Sequence, residues 1–204
     1  MPIVVDKAER RALVVSVAFD LVADRGIDAL TFREIAAACG CSTSIVSHYF
    51  RNKNELLFSV YQVANDRTRE RIEAAFDGGA SLLDCFCEIL PVSDEARRNW
   101  RVWIAFWGRA HLEPEYLEER RRAAEHSLEL YRRMLVARAG HQAGEQGAQD
   151  DWQFRARRVI AAVAGISLEA CFAPADWTTQ AMRAVLAAEL ADLGFASEAD
   201  GLPA

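Results

Sequence analysis

The sequence predicts an all-α protein of about nine helices. Apolar residues recur at the three- and four-residue spacing of helices, and no segment alternates as a strand does. Glycine and proline residues separate the helical segments. The chain has 204 residues, 51% of them hydrophobic, which is enough to bury a core without disulfides or bound metal.

Start and stop signals define the first three predicted helices. The first spans about 6–24 and ends before Gly26. The second follows Thr31 in a Thr-Phe-Arg-Glu capping box and spans 32–39. The third spans 43–50. The apolar stripe predicted for the first helix consists of Leu13, Val14, Val17, Ala18, Leu21 and Val22.

A long fourth helix is predicted from Lys53 to about 76, after the capping pattern that starts at Asn52. Residues 140–147 are predicted to form a loop, and Asp176 is predicted to cap the last helix. The tail from Ala196 is predicted to be frayed. The remaining helices are expected at about 80–90, 94–111, 114–139, 151–172 and 176–194, with Pro91, Pro114 and Pro174 at boundaries.

The second and third helices, joined by a tight turn at Gly40, form a predicted helix-turn-helix motif. The second helix of such a motif lies in the major groove of DNA. Val46 and Phe50 are four residues apart and are expected to face inward. The residues available to bases and phosphates are then Arg33, Thr43, Ser44, Ile45, Ser47, His48, Tyr49 and Lys53. Lys7, Arg10 and Arg11 contact the DNA backbone or form a solvated face.

Residues 8–60 resemble the TetR family of one-component regulators. The resemblance rests on Thr-Phe-Arg-Glu-Ile-Ala at 31–36, Gly-Cys-Ser at 40–42 and His-Tyr-Phe-Arg-Asn-Lys-Asn-Glu-Leu-Leu at 48–57. It implies a DNA-binding domain over 1–52 and a ligand-binding and dimerisation domain over 53–204. It also implies a palindromic operator in double-stranded DNA, a small-molecule effector, and DNA contacts at the same eight residues. Cys41 and Ser44 depart from the residues common in the family and leave the operator sequence open.

A second, weaker resemblance is to regulators of choline and betaine metabolism. It is carried by Ile-Val-Ser-His-Tyr-Phe at 45–50 and Trp-Ile-Ala-Phe-Trp at 103–107. A likeness to one branch does not transfer that branch's ligand.

Three tryptophans follow one face of a predicted helix, at Trp100, Trp103 and Trp107. They could form the wall of an effector pocket, in which a quaternary ammonium would be held by cation–π attraction. They could equally be core residues. The residues predicted to contact an effector are Trp100, Trp103, Phe106, Trp107, His111 and Tyr131, with Phe86 a weaker candidate and Glu88, Glu113 and Glu169 as possible counter-charges.

The last two helices are rich in alanine, which permits close helix packing. By the resemblance, helices 151–172 and 176–194 form a four-helix interface in a homodimer. Burial inside the monomer is the alternative. A dimer is favoured because a two-fold DNA reader needs two recognition helices about 34–36 Å apart.

Charge and cysteine content bound the remaining possibilities. Residues 1–60 carry seven bases and seven acids, so the net charge of −6 belongs entirely to 61–204. The pairs Cys39/Cys41 and Cys85/Cys87 suggest a zinc site or a redox-sensing thiol. Residues two apart on a helix do not face each other, so neither pair has the spacing of metal ligands. We therefore expect no metal and no cofactor.

The function predicted is a ligand-responsive transcriptional regulator, most simply a repressor, in the cytoplasm and without a membrane segment. The sequence shows no nucleophile–base motif, phosphate loop or paired-carboxylate site, so no enzyme is expected. A helical enzyme and a protein-binding adaptor without DNA binding are the alternatives.

Overall fold

The computed structural model describes residues 7–139 and 148–198. Within them the all-α prediction is confirmed, with nine α-helices and two short 3₁₀ turns, Ile27–Ala29 and Ala196–Glu198. The helices are α1 Lys7–Arg25, α2 Phe32–Ala38, α3 Thr43–Tyr49, α4 Lys53–Asp77, α5 Leu82–Cys87, α6 Asp94–Ala110, α7 Pro114–Ala139, α8 Ala148–Phe172 and α9 Thr179–Asp192. The predicted loop at 140–147 lies outside the described residues.

The chain divides into two compact units. The first unit comprises Met1–Asp66 and Arg101–Arg120, and the second comprises Arg67–Trp100 and Arg121–Ala204. Because α4, α6 and α7 each contribute residues to both units, this division differs from the predicted boundary between residues 52 and 53.

The first unit has its core where α1 meets the two short helices and the start of α4. Its α1 buries Val14, Ala18 and Val22 as predicted, but also Val15 and Phe19. Leu13 of the predicted stripe is instead 53% exposed. The apolar face of α1 is therefore rotated toward the larger Phe19 side chain.

The second unit buries every residue of α5 except Asp84, and one face each of α8 and α9. Its core side chains include Leu82, Leu83, Phe86, Trp100, Leu135, Val159, Val163, Leu186 and Leu190. The α5 helix is shorter than the predicted 80–90. The chain after Cys87 continues in tighter turns, in which Ile89 N donates to Phe86 O and Leu90 N donates to Cys87 O. Side chains bond two of the free carbonyls there: Arg71 donates to Glu88 O, and Trp100 Nε1 donates to Ile89 O at 2.6 Å.

The start of α9 and the C-terminal tail differ from the sequence prediction. The cap of α9 is Thr178, whose Oγ1 accepts a hydrogen bond from Ala181 N at 3.2 Å, and not Asp176. The backbone of Asp176 is used in a turn to Ala173 O. The start of the predicted frayed tail is also ordered, because Glu198 Oε2 accepts from Leu82 N at 2.9 Å and so caps α5.

Candidate DNA-binding face and aromatic cluster

The turn between α2 and α3 has the geometry that a helix-turn-helix motif requires. Gly40 has φ of 62°, which a side chain would disfavour. Cys41 N donates to Ala36 O at 2.9 Å and Gly40 N donates to Ala37 O at 3.3 Å, the two bonds of a Schellman motif. Thr31 Oγ1 accepts from Glu34 N at 3.1 Å and caps α2 as predicted.

One face of α3 is buried and the other is open to solvent. Val46 and Phe50 are fully buried, which confirms their predicted inward orientation. Ser47 Oγ donates to Thr43 O at 2.9 Å, so its lone pairs stay available to accept from a base. On the outer side, Thr43, Ser44, Ser47 and His48 are exposed, and Ile45 and Tyr49 are half-buried.

The two predicted cationic contacts lie at helix starts on the same unit. Arg33 is exposed in the first turn of α2, and no hydrogen bond or ion pair engages it within the described part of the chain. Lys53 opens α4, whose start is capped by Asn52 Oδ1 accepting from Glu55 N at 2.9 Å. A helix start with a lysine suits a phosphate oxygen.

All three N-terminal bases are exposed, but Arg11 is also held by contacts within the first unit. Arg11 Nη2 donates to Ser59 Oγ at 2.9 Å, and its guanidinium lies 4.9 Å from the centre of the Phe50 ring. Arg11 therefore packs on Phe50 and Ser59 while it remains exposed. Lys7 and Arg10 are exposed.

The first unit also contains an aromatic cluster, which we define as Phe58, Tyr61, Trp103, Phe106, Trp107 and Tyr116. Phe106 is fully buried at its centre. Its ring stacks on Tyr61 at 3.9 Å between centroids and lies 5.0 Å from Tyr116. Phe58 contacts Tyr116 at 4.8 Å.

The two tryptophans form one side of the aromatic cluster. Their rings are nearly parallel, with centroids 6.5 Å apart. Trp107 Nε1 donates to the Tyr61 hydroxyl at 3.4 Å. The guanidinium of Arg120 lies 4.7 Å from the centre of the Trp107 ring. Burial raises the pKa of Tyr61, so its hydroxyl stays protonated at neutral pH.

The structure brings only part of the predicted effector site together. Trp103, Phe106 and Trp107 share the aromatic cluster. Trp100 and Tyr131 belong to the core of the second unit, where Tyr131 packs on Phe86 at 4.7 Å. His111 follows the end of α6 and is exposed.

The sequence reasoning missed Phe58, Tyr61 and Tyr116. The signal that could have found them is the spacing of Phe58 and Tyr61, three residues apart on α4, as on a helix face.

Of the three candidate counter-charges, only Glu113 lies in the same unit as the aromatic cluster, and it pairs with Arg109, whose guanidinium is 5.0 Å from the centre of the Tyr116 ring; Glu88 and Glu169 belong to the second unit. Glu113 accepts from Arg109 Nε at 2.8 Å, and Glu88 lies 3.4 Å from Arg71 Nε. Glu169 is exposed on α8. Each is a surface acid or an ion-pair partner.

Cys85 and Cys87 are buried thiols of the second unit. Burial raises the pKa values of Cys85 and Cys87 to about 11, which keeps both thiols protonated and weakly reactive. No group of three or more potential ligands is found among the described residues.

Helices α8 and α9 of the second unit pack on each other and leave an outer face of apolar and small residues. Phe172 is 73% exposed and Val185 is 46% exposed. The rest of this outer face consists of Phe154, Ala161, Gly165, Leu168, Ala184 and Ala188, all exposed. We call this set the α8–α9 face.

Two sequence families match the chain. Residues 14–60 match the bacterial regulatory proteins of the tetR family, and residues 78–194 match the C-terminal domain of BetI-type transcriptional repressors. The two matches together leave out only short stretches at the ends and in α4.

Curated relatives are named as transcriptional regulators. The chain is 26% identical over 179 residues to the HTH-type regulator PksA of Bacillus subtilis, covering 85% of this chain and 84% of the relative. It is 30% identical over 135 residues to the HTH-type regulator BetI of Rhizobium meliloti, covering 66% of this chain and 64% of the relative. The match thus spans slightly less than two thirds of that BetI protein.

Solved structures share the fold. A transcriptional regulator from Rhodococcus sp. Rha1 has a TM-score of 0.77 at 23% identity, covering 95% of this chain and 99% of its own. A regulator from Saccharomonospora viridis, solved in complex with choline, has a TM-score of 0.75 at 20% identity, covering 91% and 97%. In the part of the chain that the structure describes, no helix is long and apolar enough to cross a membrane.

Proposed function

The chain belongs to the TetR family of bacterial transcriptional regulators, with a C-terminal domain of the BetI repressor type, and we propose that it is a repressor released from a palindromic operator by a small-molecule effector. The observation that carries the proposal is the exposed polar face of α3, set on a buried core beside the exposed Arg33 and the half-buried Lys53. The site of action is the chromosome, in the cytoplasm.

The DNA-binding face reads sequence through α3 in the major groove. Ile45 meets a thymine methyl group, and the hydroxyls of Thr43, Ser44 and Ser47 let the helix approach the base edges closely. Arg33 reaches a guanine from the start of α2, a bidentate contact worth about 1–3 kcal/mol of discrimination. His48 contributes a further base contact.

Phosphate contacts fix the register of this face on the duplex. Lys53 and the hydroxyl of Tyr49 bind phosphate oxygens, assisted by the backbone amides at the start of α4. These contacts carry affinity rather than sequence information, so they make binding depend on salt.

The α8–α9 face forms the dimer interface. Its exposed phenylalanine, leucine and valine side chains would each contribute about 1.5–3 kcal/mol when fully buried by a second copy. The alanine and glycine residues between them permit close approach of the helices. Two-fold symmetry then places two α3 helices on successive half-sites of the operator.

The aromatic cluster is the effector site that we favour. Its rings come from α4, α6 and α7 and surround Phe106. The relative solved with choline and the BetI-type domain make the choline and betaine series the first compounds to test. Aromatic rings bind both apolar groups and cations, so the cluster suits either part of such a molecule.

Release follows from a shift between two conformations. One conformation has the lower affinity for the operator. An effector that binds this conformation more tightly weakens operator binding, and the operator weakens effector binding by the same coupling free energy. The hydrogen bond between Tyr116 and Asn54 links the aromatic cluster to the first turn of α4, next to Lys53.

The decisive experiment measures binding of the purified protein to its own upstream DNA across a salt series, with and without choline, betaine aldehyde and betaine. We expect tight binding whose logarithm falls linearly with the logarithm of salt, and release by one of the three compounds. Binding that no compound affects would reject the effector series and keep the regulator. Absence of salt-dependent DNA binding, followed by failure of a random-sequence selection, would reject DNA reading and favour a protein-binding adaptor.

A further inference from the structure

Two arginines lie on rings of the aromatic cluster, and only one of them has a carboxylate partner. The guanidinium of Arg109 is 5.0 Å from the centre of the Tyr116 ring, and Glu113 accepts its Nε–H at 2.8 Å. The guanidinium of Arg120 is 4.7 Å from the centre of the Trp107 ring. Within residues 7–139 and 148–198, no hydrogen bond or ion pair joins Arg120 to a carboxylate. Arg109 therefore has a direct carboxylate partner, whereas Arg120 has none among the described residues.

The carboxylate next to Arg120 in sequence has another partner. Glu119 Oε1 accepts from Gln62 Nε2 at 3.0 Å, which holds this side chain against α4. Arg120 is only half-buried, so its guanidinium remains within reach of a dissolved ligand. Beside it, Trp107 Nε1 donates to the hydroxyl of Tyr61 at 3.4 Å.

This arrangement selects against a simple cation at the Trp107 ring. The protein's own guanidinium already lies over one face of the ring, and a second cation would have to displace it or bear its repulsion. A carboxylate is instead attracted to this position, because a guanidinium binds it through two charge-assisted hydrogen bonds. The neighbouring rings then take up the remainder of the molecule.

We propose that the effector of this regulator is a small organic carboxylate, whose carboxylate group pairs with Arg120 while its apolar or quaternary-ammonium part packs on the aromatic cluster. The proposal rests on the proposed function, because it assigns the chemical class of the effector at the same cluster. It makes Arg120 the residue that determines specificity between compounds of equal shape and different charge.

The test uses matched ligand pairs and calorimetry on the full-length protein. Glycine betaine and choline share a trimethylammonium group and differ by carboxylate against hydroxyl. Phenylacetate and 2-phenylethylammonium share a phenyl ring and differ in the sign of their charge. We expect the carboxylate of at least one pair to bind about tenfold more tightly than its partner, the equivalent of about 1.4 kcal/mol.

Variants locate the effect on one side chain. Arg120→Gln should weaken carboxylate binding about tenfold, and Arg120→Lys should retain part of it, since lysine keeps the charge but loses the planar fork. Arg121→Gln is the matched control, because Arg121 is the next residue on α7, carries the same charge and is exposed. Circular dichroism checks that each variant is folded.

Three results would overturn the proposal. In the first, the cation of each pair binds more tightly than the carboxylate, and Arg120→Gln strengthens binding of the cation further. Arg120 would then compete with a cationic ligand for the Trp107 ring. In the second, Arg120→Gln and Arg121→Gln bind the carboxylates equally well. In the third, the wild-type protein binds neither carboxylate at millimolar concentration. Operator binding without effector distinguishes these results from failure of the proposed function, since it depends on α3 and not on Arg120.

Discussion

The hydroxyl of Tyr116, in the first turn of α7, donates a 2.8 Å hydrogen bond to Oδ1 of Asn54, in the first turn of α4. The same amide donates through Nδ2 to Glu115 Oε1 at 2.7 Å, so α7 occupies both ends of the Asn54 side chain. Tyr116 is fully buried, and burial raises its pKa to about 12. Its hydroxyl therefore remains a hydrogen-bond donor at any physiological pH.

Replacing Tyr116 by phenylalanine should remove this bond and leave the ring contacts with Phe58 and Phe106 in place. We expect the free energy of unfolding to fall by about 1 kcal/mol, the usual net contribution of one hydrogen bond. We also expect the effector to release the operator less completely. Urea unfolding and operator titration with and without effector measure both. Glu115→Gln, which keeps an acceptor for Asn54 Nδ2, is the control, and equal effects of the two variants would contradict the assignment.

Substitutions on the DNA-binding face should separate base reading from phosphate binding. His48→Ala should weaken operator binding by about 1–3 kcal/mol, with dimerisation and unfolding unchanged. Lys53→Gln should instead reduce the slope of log affinity against log salt by about 0.9 for each phosphate that the protein no longer neutralises. Arg101→Gln, at an exposed position on α6, should leave the slope unchanged. Loss of the dimer in His48→Ala would mean that α3 has been misassigned.

Two threonine caps with similar hydrogen-bond lengths offer a matched pair. Thr31 caps α2 at 3.1 Å and Thr178 caps α9 at 3.2 Å. Either change to alanine should cost about 1 kcal/mol of stability. Only Thr31→Ala should also weaken operator binding at a temperature where both variants are folded, because α2 supports the DNA-binding face. Equal operator affinity of the two variants would contradict a role of the Thr31 cap in holding the DNA-binding face.

A charge on the α8–α9 face should dissociate the dimer. We expect Phe172→Asp or Val185→Arg to give a monomer in analytical ultracentrifugation, since burying an unpaired charge at an interface costs several kcal/mol. Leu112→Asp is the control, because Leu112 is 76% exposed in the first unit. A dimer that survives both substitutions, or that Leu112→Asp disrupts, would place the interface elsewhere.

The free energy of unfolding should fall at alkaline pH. Burial raises the pKa values of Cys85 and Cys87 from an ordinary 9.0 to about 11, and that of Tyr116 from 10.0 to about 12. The unfolded chain therefore loses these protons first, so their contribution is complete below about pH 9 and disappears as pH rises through the folded values. Urea unfolding measured from neutral pH to about pH 11 tests this. A constant free energy over that range would contradict it.

The sequence predicted the helices best where local chemistry decides them. Gly40, Thr31 and the repeated apolar spacing placed α2 and α3 to within one residue, because caps and glycine turns act over a single turn. The start of α9 was placed three residues early, since Asp176 and Thr178 both have capping side chains and only tertiary packing chooses between them.

The aromatic cluster could be predicted only in part. One helix face shows Trp103 and Trp107 together, but the bond of Trp107 to Tyr61 and the contact of Phe106 with Tyr116 join residues on different helices. Trp100 shares the same spacing and yet serves the other unit's core, through its bond to Ile89 O. Helical periodicity gives the side on which a residue lies, and not the neighbour it meets there.

The cap that Glu198 provides for α5 has a consequence for the order in which the protein is made. The bond joins Glu198 to Leu82, 116 positions earlier, so α5 leaves the ribosome long before the side chain that completes its start has been synthesised. The first unit needs only the chain up to Arg120, which includes the Tyr116 hydroxyl that bonds Asn54. Because domains fold as units while translation proceeds at about 5–20 residues per second, the DNA-binding half can be complete several seconds before the second unit closes. In the cell, a newly made copy would then carry a finished reading surface before it has a finished partner-binding surface.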